Sequence, residues 1–291
     1  MFSQLMKSVL LFLVVAQYGI AATLDVKIPM LNYRAEGFDY QYSLLELALE
    51  KSGESYQLTK IPIEANQVRL SYMLKVNDQI NVYWMGTSTI FEKELIPVRI
   101  PLYRGLLGHR VFIINKHSQH RFDRVKSLGD LQVMLAIQGI GWSDIAILED
   151  AGLPTVATKY KHIFRIMSSG GRADYFPRGV NEAWTEVNQY KGENPNLSVE
   201  SHVLLVYPFA MFFFVSPNHP DIAAAITKGL KVAYADGSFM AFFNNHPTVK
   251  ALFEQANMKE RVKFVIGNSL MSEETLAIPD EYWHTNMNDL R

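Results

Sequence analysis

The sequence contains no cysteine, which excludes disulfide bonds, thiolate catalysis and cysteine-ligated metal sites. It also lacks a basic excess, because 28 lysines and arginines are matched by 29 aspartates and glutamates. Phosphate-binding surfaces normally show such an excess, so we exclude nucleic acid as a partner. His-Glu-x-x-His, Gly-x-Ser-x-Gly and phosphate-loop motifs are absent as well, and the eight histidines have no metal-ligand spacing. We therefore expect no metal site, no cofactor and no catalytic residue.

An apolar run follows Lys7 at the N-terminus and extends from Ser8 to Ala16. Small residues then form a cleavage zone, which predicts a signal peptide over residues 1–22 that is removed after Ala21 or Ala22. The run is too short to cross a bilayer comfortably, although an uncleaved anchor remains the alternative. Without a cysteine at the cleavage zone, a lipid anchor is excluded. We predict a periplasmic protein with no membrane span after cleavage.

Strand-like and helix-like patterns alternate at the start of the mature chain. The predicted segments are a strand at 23–30, a helix at 43–51, a strand at 56–63, a helix at 66–75 and a strand at 80–85. Such alternation is typical of a mostly parallel sheet covered by helices on both faces.

Two strongly apolar stretches, 106–115 and 203–215, enclose about 90 residues that have their own α/β pattern. After the second stretch the chain becomes helical. We therefore predict that one lobe is inserted into another, with residues 23–104 and 208–291 in lobe 1 and residues 105–207 in lobe 2. The two crossings near Arg104 and Tyr207 would form a hinge.

A series of short motifs follows the same order as in a known family. They are Gly37-Phe38-Asp39, Gly86-Thr87-Ser88-Thr89, Ile100-Pro101-Leu102-Tyr103, Ser127 to Leu131 and Ala235 to Phe239. In these motifs the chain resembles type II periplasmic solute-binding proteins, specifically the amino-acid-binding, family 3-like proteins of ABC importers. The resemblance covers residues 26 to about 243. It implies a two-lobed α/β Venus-flytrap in which each lobe is a mostly parallel sheet flanked by helices, and two hinge crossings let the lobes close on a solute.

Three further segments, 97–102, 105–108 and 173–182, resemble a proteobacterial branch of that family without a settled ligand. The last of them lies in a corner at 167–184 that we interpret as a short strand at 173–176 followed by a helix opening at Pro177. Ligands bind at such corners in open α/β sheets. Asp174, Tyr175, Arg178 and Glu182 are therefore candidate ligand-binding residues, although an ordinary turn with solvated charges is the alternative.

The loop Gly86 to Thr89 departs from the family in one respect. The resemblance implies that Thr87, Ser88 and Thr89 contact the ligand, and that an arginine after them clamps its carboxylate. Here Glu92 stands at that position. Either Lys93 or Arg99 substitutes for the arginine, or the ligand is not a free α-amino acid.

A second candidate loop joins a predicted strand to a helix at Gly139 to Asp144. The resemblance implies that Gly141, Trp142 and Ser143 hold the acidic end of a ligand, where backbone N–H groups of a first helical turn bind anions. A plain helix cap with Trp142 in the core is the alternative. Asp144 would instead favour a cationic group if it faced the cleft.

Aromatic and cationic residues complete the candidates. Trp84 ends a predicted strand, where it would stack on a ligand or pack against a helix. Tyr33 and Arg34 follow the first strand, where the family places an aromatic residue over the ligand. Arg178 would stand unfavourably at a helix start, which suggests that it meets an anionic ligand or pairs with Glu182 four residues later.

The function that these observations favour is capture of a small polar solute, an amino acid or a related compound, for an inner-membrane ABC permease. One alternative is a ligand-sensing module for a membrane signalling protein. Another is a periplasmic dehydratase-like enzyme on the same fold, with Glu92 or Glu182 as proton shuttle.

Overall fold

The structure, a computed structural model, describes residues 23–30, 39–76, 79–285 and 287, so the predicted signal peptide lies outside the described residues. The strands are β1 Leu24–Met30, β2 Tyr56–Pro62, β3 Val82–Gly86, β4 Ile96–Val98, β5 His109–Asn115, β6 Ala136–Gly139, β7 Thr155–Thr158, β8 Phe176–Gly179, β9 Leu197–Val199, β10 Val203–Val206, β11 Met211–Val215 and β12 Val262–Val265. The helices are α1 Asp39–Ser52, α2 Gln67–Val76, α3 Thr89–Glu94, α4 Gln119–Phe122, α5 Leu128–Gln132, α6 Asp144–Asp150, α7 Tyr160–Ser169, α8 Ala183–Tyr190, α9 Pro220–Ala235, α10 Ser238–Asn245, α11 Pro247–Ala256 and α12 Glu273–Leu276.

The first lobe is built on β1 to β4 and β11. Strands β1 and β2 are parallel, whereas β11 lies antiparallel between β3 and β4. Asn81, just before β3, joins the two groups of strands. Its side-chain oxygen accepts from the backbone N–H of Lys27 at 2.7 Å, and its own N–H donates to the Lys27 carbonyl at 2.9 Å.

Helices α1 and α9 pack closely against each other in the first lobe. Gly229 of α9 permits this contact, because a Cβ atom at that position would overlap the backbone carbonyl of Ala48 in α1. Three apolar residues on one face of α9, Ile222, Ile226 and Leu230, are buried. The helix pair therefore forms one side of the first core.

The second lobe is built on the remaining strands. Strand β5 is central and runs antiparallel to β8, β9 and β10. Strands β6 and β7 are parallel, and a bridge between Ala136 and Tyr175 connects β6 to the start of β8. Strand β12 pairs in parallel with β10. Although β12 lies within 208–291, which we predict to belong to lobe 1, it extends the second sheet. We accordingly propose 105–207 together with β12 as the second lobe.

The chain after β12 returns to the first lobe. The carbonyl of Leu270 accepts from the backbone N–H of Thr89 at 3.0 Å. Farther on, Trp283 is buried against Gly105, and its carbonyl accepts from Arg104 NH2 at 2.8 Å. The described chain thus passes between the two lobes four times, and its last segment lies against the predicted hinge.

The predicted two-lobed α/β fold is confirmed, with two differences in detail. The strands of each lobe include parallel and antiparallel pairs rather than mostly parallel ones, since β11 runs antiparallel to β3 and β4, and β5 runs antiparallel to β8, β9 and β10. The apolar stretch 203–215 is also two strands rather than one. Pro208, which has no N–H to donate to a ladder, lies in the break between them.

Candidate functional site

A cavity of about 90 Å³, which we call the inner chamber, lies between the two lobes. The first lobe and the crossings line it with Gln41, Gln67, Tyr83, Trp84, Met85, Gly86, Tyr103, Phe209, Met211 and Thr248. The second lobe lines it with Leu107, Arg110, Trp142, Ser143, Asp144, Tyr160, Arg178, Asn181, Glu182, Thr185, Glu186 and Gln189. Both lobes are therefore needed to form it, and five of these residues are arginine, aspartate or glutamate.

Arg110 of β5 is the most enclosed of the charged residues, with a side chain that is 1% exposed. Its NH2 atom lies 2.7 Å from Asp144 Oδ1, and its NH1 atom is 3.5 Å from Glu182 Oε2. The rings of Tyr207 and Phe209 each lie 5.3 Å from the guanidinium carbon. Among the described residues, neither Nε nor NH1 has a hydrogen-bond partner. Buried donors of this kind are costly unless another molecule accepts from them.

Arg178 lies beside Arg110 but is fully engaged. Its Nε and NH2 atoms donate to the two carboxylate oxygens of Glu186, both at 2.7 Å, and NH2 is 2.8 Å from Glu182. Burial lowers the pKa of this guanidinium, but the two glutamates outweigh burial and raise the pKa above its ordinary value. Arg178 therefore stays charged and holds α8 against β8.

The corner around Arg178 differs from the prediction. Residues 176–179 form β8, and α8 begins only at Ala183, so Arg178 lies in a strand and meets no unfavourable helix dipole. The pair with Glu182 that we considered as the alternative is present. Arg178 nevertheless lines the inner chamber, with its guanidinium 4.6 Å from the ring of Trp142.

Five predicted residues line the inner chamber: Trp84, Trp142, Ser143, Arg178 and Glu182. Trp84 is buried, with its ring edge-on to Tyr42 at 5.1 Å. Trp142 is half-buried and lies 5.7 Å from the ring of Tyr160, so it faces the space between the lobes. Tyr33 and Arg34 lie outside the described residues, and their ligand contacts stay predictions.

Asp174 and Tyr175 lie outside the chamber. Asp174 is paired with Arg121 and accepts from the backbone N–H of Leu135 at 2.7 Å. Tyr175 is fully buried against Phe112, with ring centroids 4.5 Å apart. Successive side chains of a strand point to opposite faces, so the register that turns Arg178 toward the chamber turns Tyr175 into the core.

Thr87, Ser88 and Thr89 also lie outside the chamber lining. The Thr87 hydroxyl donates to Glu92 at 2.5 Å, and the Ser88 hydroxyl caps α3. The N–H of Thr89 is already bonded to Leu270. These groups thus stabilise the turn into α3 and its contact with the C-terminal segment.

Glu92, which stands where the family has a ligand-binding arginine, is buried in a polar network. Arg99 donates to it at 3.0 Å, and the hydroxyls of Ser272 and Thr275 donate at 2.6 and 2.8 Å. Neither Arg99 nor Lys93 lines the inner chamber. The cations that reach the chamber among the described residues are Arg110 and Arg178.

Arg110, Glu186 and Gln41 were not among the predicted site residues. Arg110 and Glu186 carried a weak signal, since each is a charged residue in an otherwise apolar or amphipathic element. Nothing in the local pattern around Gln41 distinguishes it from other polar residues of α1. Arg110 pairs with Asp144, which lies 34 positions later in the sequence. Local sequence patterns do not predict a contact between residues so far apart.

Within the described residues, no three His, Asp or Glu side chains are arranged to hold a metal ion. The same residues contain no helix long and apolar enough to cross a membrane.

No protein-family model and no curated protein matches the sequence. Solved structures do match. An arginine-specific periplasmic binding protein of Salmonella typhimurium is 11% identical, with 76% of this chain and 98% of that chain covered and a TM-score of 0.53. The chain has the type II periplasmic binding protein fold.

Two further structures with this binding-protein fold differ in their described roles. One, described for glutathione import through GshT and the cystine ABC importer TcyBC of Streptococcus mutans, is 14% identical, with 87% and 100% of the two chains covered and a TM-score of 0.56. The other is a histidine kinase sensor domain, 14% identical, with 76% and 93% covered and a TM-score of 0.51. Identities this low establish the fold alone.

Gly141 lies where the two lobes of the binding-protein fold meet. Its φ of 81° is in the left-handed region, and a Cβ atom on it would overlap Cγ2 of Val68 in the first lobe. Gly141 does not line the inner chamber. It lets the second lobe approach α2 closely.

A Gly141→Ala variant should bind ligand about tenfold more weakly, because the added methyl group opposes closure and strains the backbone. Adding Val68→Ala should recover part of the loss by removing the steric overlap, while the backbone strain remains. Titration calorimetry on both variants measures the effect. Equal affinity of Gly141→Ala and the unmodified protein would show that the contact does not limit closure.

Proposed function

We propose that this protein is a periplasmic solute-binding protein, exported by a cleaved signal peptide, that captures a small polar solute between its lobes. The observation that carries the proposal is the inner chamber, which both lobes form around Arg110, whose Nε and NH1 atoms have no hydrogen-bond partner among the described residues. Structures with this fold include binding proteins described with arginine and with glutamine. An amino acid or a related compound is the solute class that we infer.

Arg110 is the residue to which we assign the ligand's carboxylate. Its Nε and NH1 atoms, which have no hydrogen-bond partner among the described residues, are the donors that we assign to acceptor atoms of the ligand, one of them to the carboxylate. Glu182 and Asp144 lie beside it and have carboxylate oxygens that accept from a ligand ammonium group. Trp84 and Trp142 form apolar walls of the chamber. The proposed ligand contacts therefore include residues predicted from the sequence as well as Arg110, which was not predicted.

Native mass spectrometry of residues 23–291, purified without added ligand, tests the proposal together with calorimetry against the twenty amino acids. We expect a co-purified amino acid or related compound, and binding that is saturable with one site per chain. Failure of every amino acid and every co-purified small molecule to bind would contradict the proposed function.

Importer and sensor roles both fit the fold, since one matching structure is a kinase sensor domain. We favour the importer role, in which the protein delivers its ligand to an ABC permease. Uptake of labelled ligand by cells with and without the gene distinguishes the importer role from the sensor role. Loss of uptake supports the importer role, whereas unchanged uptake with altered signalling supports the sensor role.

The surroundings of Glu92 and Glu182, the two residues considered as proton shuttles, disfavour an enzymatic role. Glu92 lies in its own polar network outside the chamber, and Glu182 is held by Arg178. The ligand should therefore be recovered chemically unchanged after long incubation, as mass spectrometry of the released compound would show.

A further inference from the structure

A second and larger cavity, which we call the outer chamber, adjoins the inner chamber. It measures about 320 Å³. Gln67, Tyr83, Trp142 and Tyr160 line both chambers, so the two spaces share walls. Both lobes contribute to the outer chamber, and it therefore forms only when the lobes are close together.

The sizes of the two chambers indicate a ligand that extends through both. Small-molecule sites typically enclose about 300 to 1,000 Å³. The outer chamber reaches that range, whereas the inner chamber, at about 90 Å³, does not. A ligand confined to the inner chamber would leave the larger, aromatic-walled space between the lobes filled only with water.

The outer chamber has a positive wall on the second lobe. Lys159, directly before α7, and Lys161, in its first turn, both line the cavity and are exposed. Neither forms a salt bridge with any described residue. Glu64 lies on the wall that the first lobe supplies. Both lysines can therefore pair with an anionic group of a ligand that extends out of the inner chamber.

The walls between Arg110 and the lysines are aromatic. Trp142 and Tyr160 have ring centroids 5.7 Å apart on the second lobe, and Tyr83 lines both chambers from the first lobe. Such walls bury apolar parts of a ligand without demanding hydrogen bonds. They suit the methylene groups of an extended side chain.

We propose that the outer chamber is a second ligand subsite, which binds the carboxylate end of an elongated amino acid whose head group is held at Arg110. The ligand class is an α-amino acid with a long acidic extension, such as a γ-glutamyl peptide. This inference rests on the proposed function, because it requires the head group to occupy the inner chamber.

Calorimetry with two probes tests the subsite. γ-L-Glutamylglycine carries an amino-acid head and a distal carboxylate, whereas L-norleucine has the head and an apolar chain without that carboxylate. We expect the unmodified protein to bind γ-L-glutamylglycine at least tenfold more tightly. In a Lys159→Ala/Lys161→Ala variant this preference should disappear, while the affinity for L-norleucine stays within twofold.

Removal of the negative charge on the opposite wall provides a second measurement. Glu64→Gln should strengthen binding of γ-L-glutamylglycine two- to fivefold, because the carboxylate that repels the distal group is removed. Lys191→Ala, which changes an exposed lysine on the same lobe outside both chambers, should change neither affinity.

The outcomes separate this inference from the proposed function. A preference for γ-L-glutamylglycine that survives in the double variant would overturn the subsite, as would equal binding of both probes. In either case the proposed function stands, because an amino-acid head is still bound. If neither probe nor any other amino acid binds, the proposed function itself fails and the inference fails with it.

Discussion

Replacing Arg110 with lysine should lower the affinity for the tightest-binding amino acid about 100-fold while the protein remains folded. Lysine keeps a positive charge beside Asp144, but it has no counterpart to Nε and NH1, which have no hydrogen-bond partner in the part of the chain that the structure describes. A 100-fold loss corresponds to about 2.8 kcal/mol, which lies within the range of about 1.5–3 kcal/mol that one hydrogen bond from a charged donor contributes. Calorimetry measures it.

Arg121→Lys is the matched control for this substitution. Arg121 also pairs with an aspartate in the second lobe, Asp174, but it lies outside the inner chamber. Its replacement should leave affinity unchanged. Equal affinities for Arg110→Lys and the unmodified protein would remove Arg110 from the site, and the thermal unfolding temperature of both variants checks that they are folded.

The second large effect is expected on stability, at the buried pair of Glu200 and Arg261. The Glu200 side chain is fully buried, and Arg261 NH1 lies 3.0 Å from its Oε1 atom. The same NH1 also donates to the carbonyls of Glu200 and Val203, and Nε donates to that of Ala256. This arginine therefore connects β10 to the segment before β12.

An Arg261→Met variant should lose about 3–5 kcal/mol of unfolding free energy, since removal of one partner leaves the other charge buried and uncompensated. Urea unfolding followed by circular dichroism measures the loss. As a control, Lys228→Met removes an exposed partner of Glu54 and should cost at most about 1 kcal/mol. A loss of unfolding free energy of similar size in both variants would show that the buried pair contributes no more to stability than the exposed pair.

The destabilisation of Arg261→Met should also depend on pH. Burial raises the pKa of Glu200, while hydrogen bonds and Arg261 oppose that shift, so losing Arg261 raises the pKa further. An acid whose pKa is higher in the folded state binds its proton more tightly there, and its contribution to stability falls as pH rises above the unfolded value of about 4.3. The deficit should therefore be smaller at pH 5 than at pH 8. An equal loss of unfolding free energy at pH 5 and pH 8 would contradict the explanation that the loss comes from the buried Glu200 carboxylate.

The fold was predictable because its signals are local. The apolar spacing of α9 and the alternating elements before β3 all follow from periodicity, and the order of motifs indicated two lobes. The membership of β12 in the second sheet was not predictable in this way. Pairing with β10 is decided by contacts between distant segments, and four residues of a strand carry no information about their partner.

The candidate site was predictable only in part. Trp142, Arg178 and Glu182 lie in loops and strand ends that the fold brings to the cleft. Tyr175 carries the same kind of signal in sequence, but strand alternation turns it away from the chamber. Arg110 was missed because a charged residue in an apolar strand is recognisable as functional only when its partners are known.

The pairing of β12 with β10 also has a consequence for the order in which the chain folds during synthesis. The second lobe starts with β5, yet its sheet is complete only after residue 265 has left the ribosome. The first lobe likewise waits for β11 and α9 before its sheet and helix layer close. Contacts this distant in sequence form slowly, and a domain generally folds as a unit. Neither lobe can therefore finish folding as an independent early domain, and until β12 arrives β10 presents an open edge to which another chain can add.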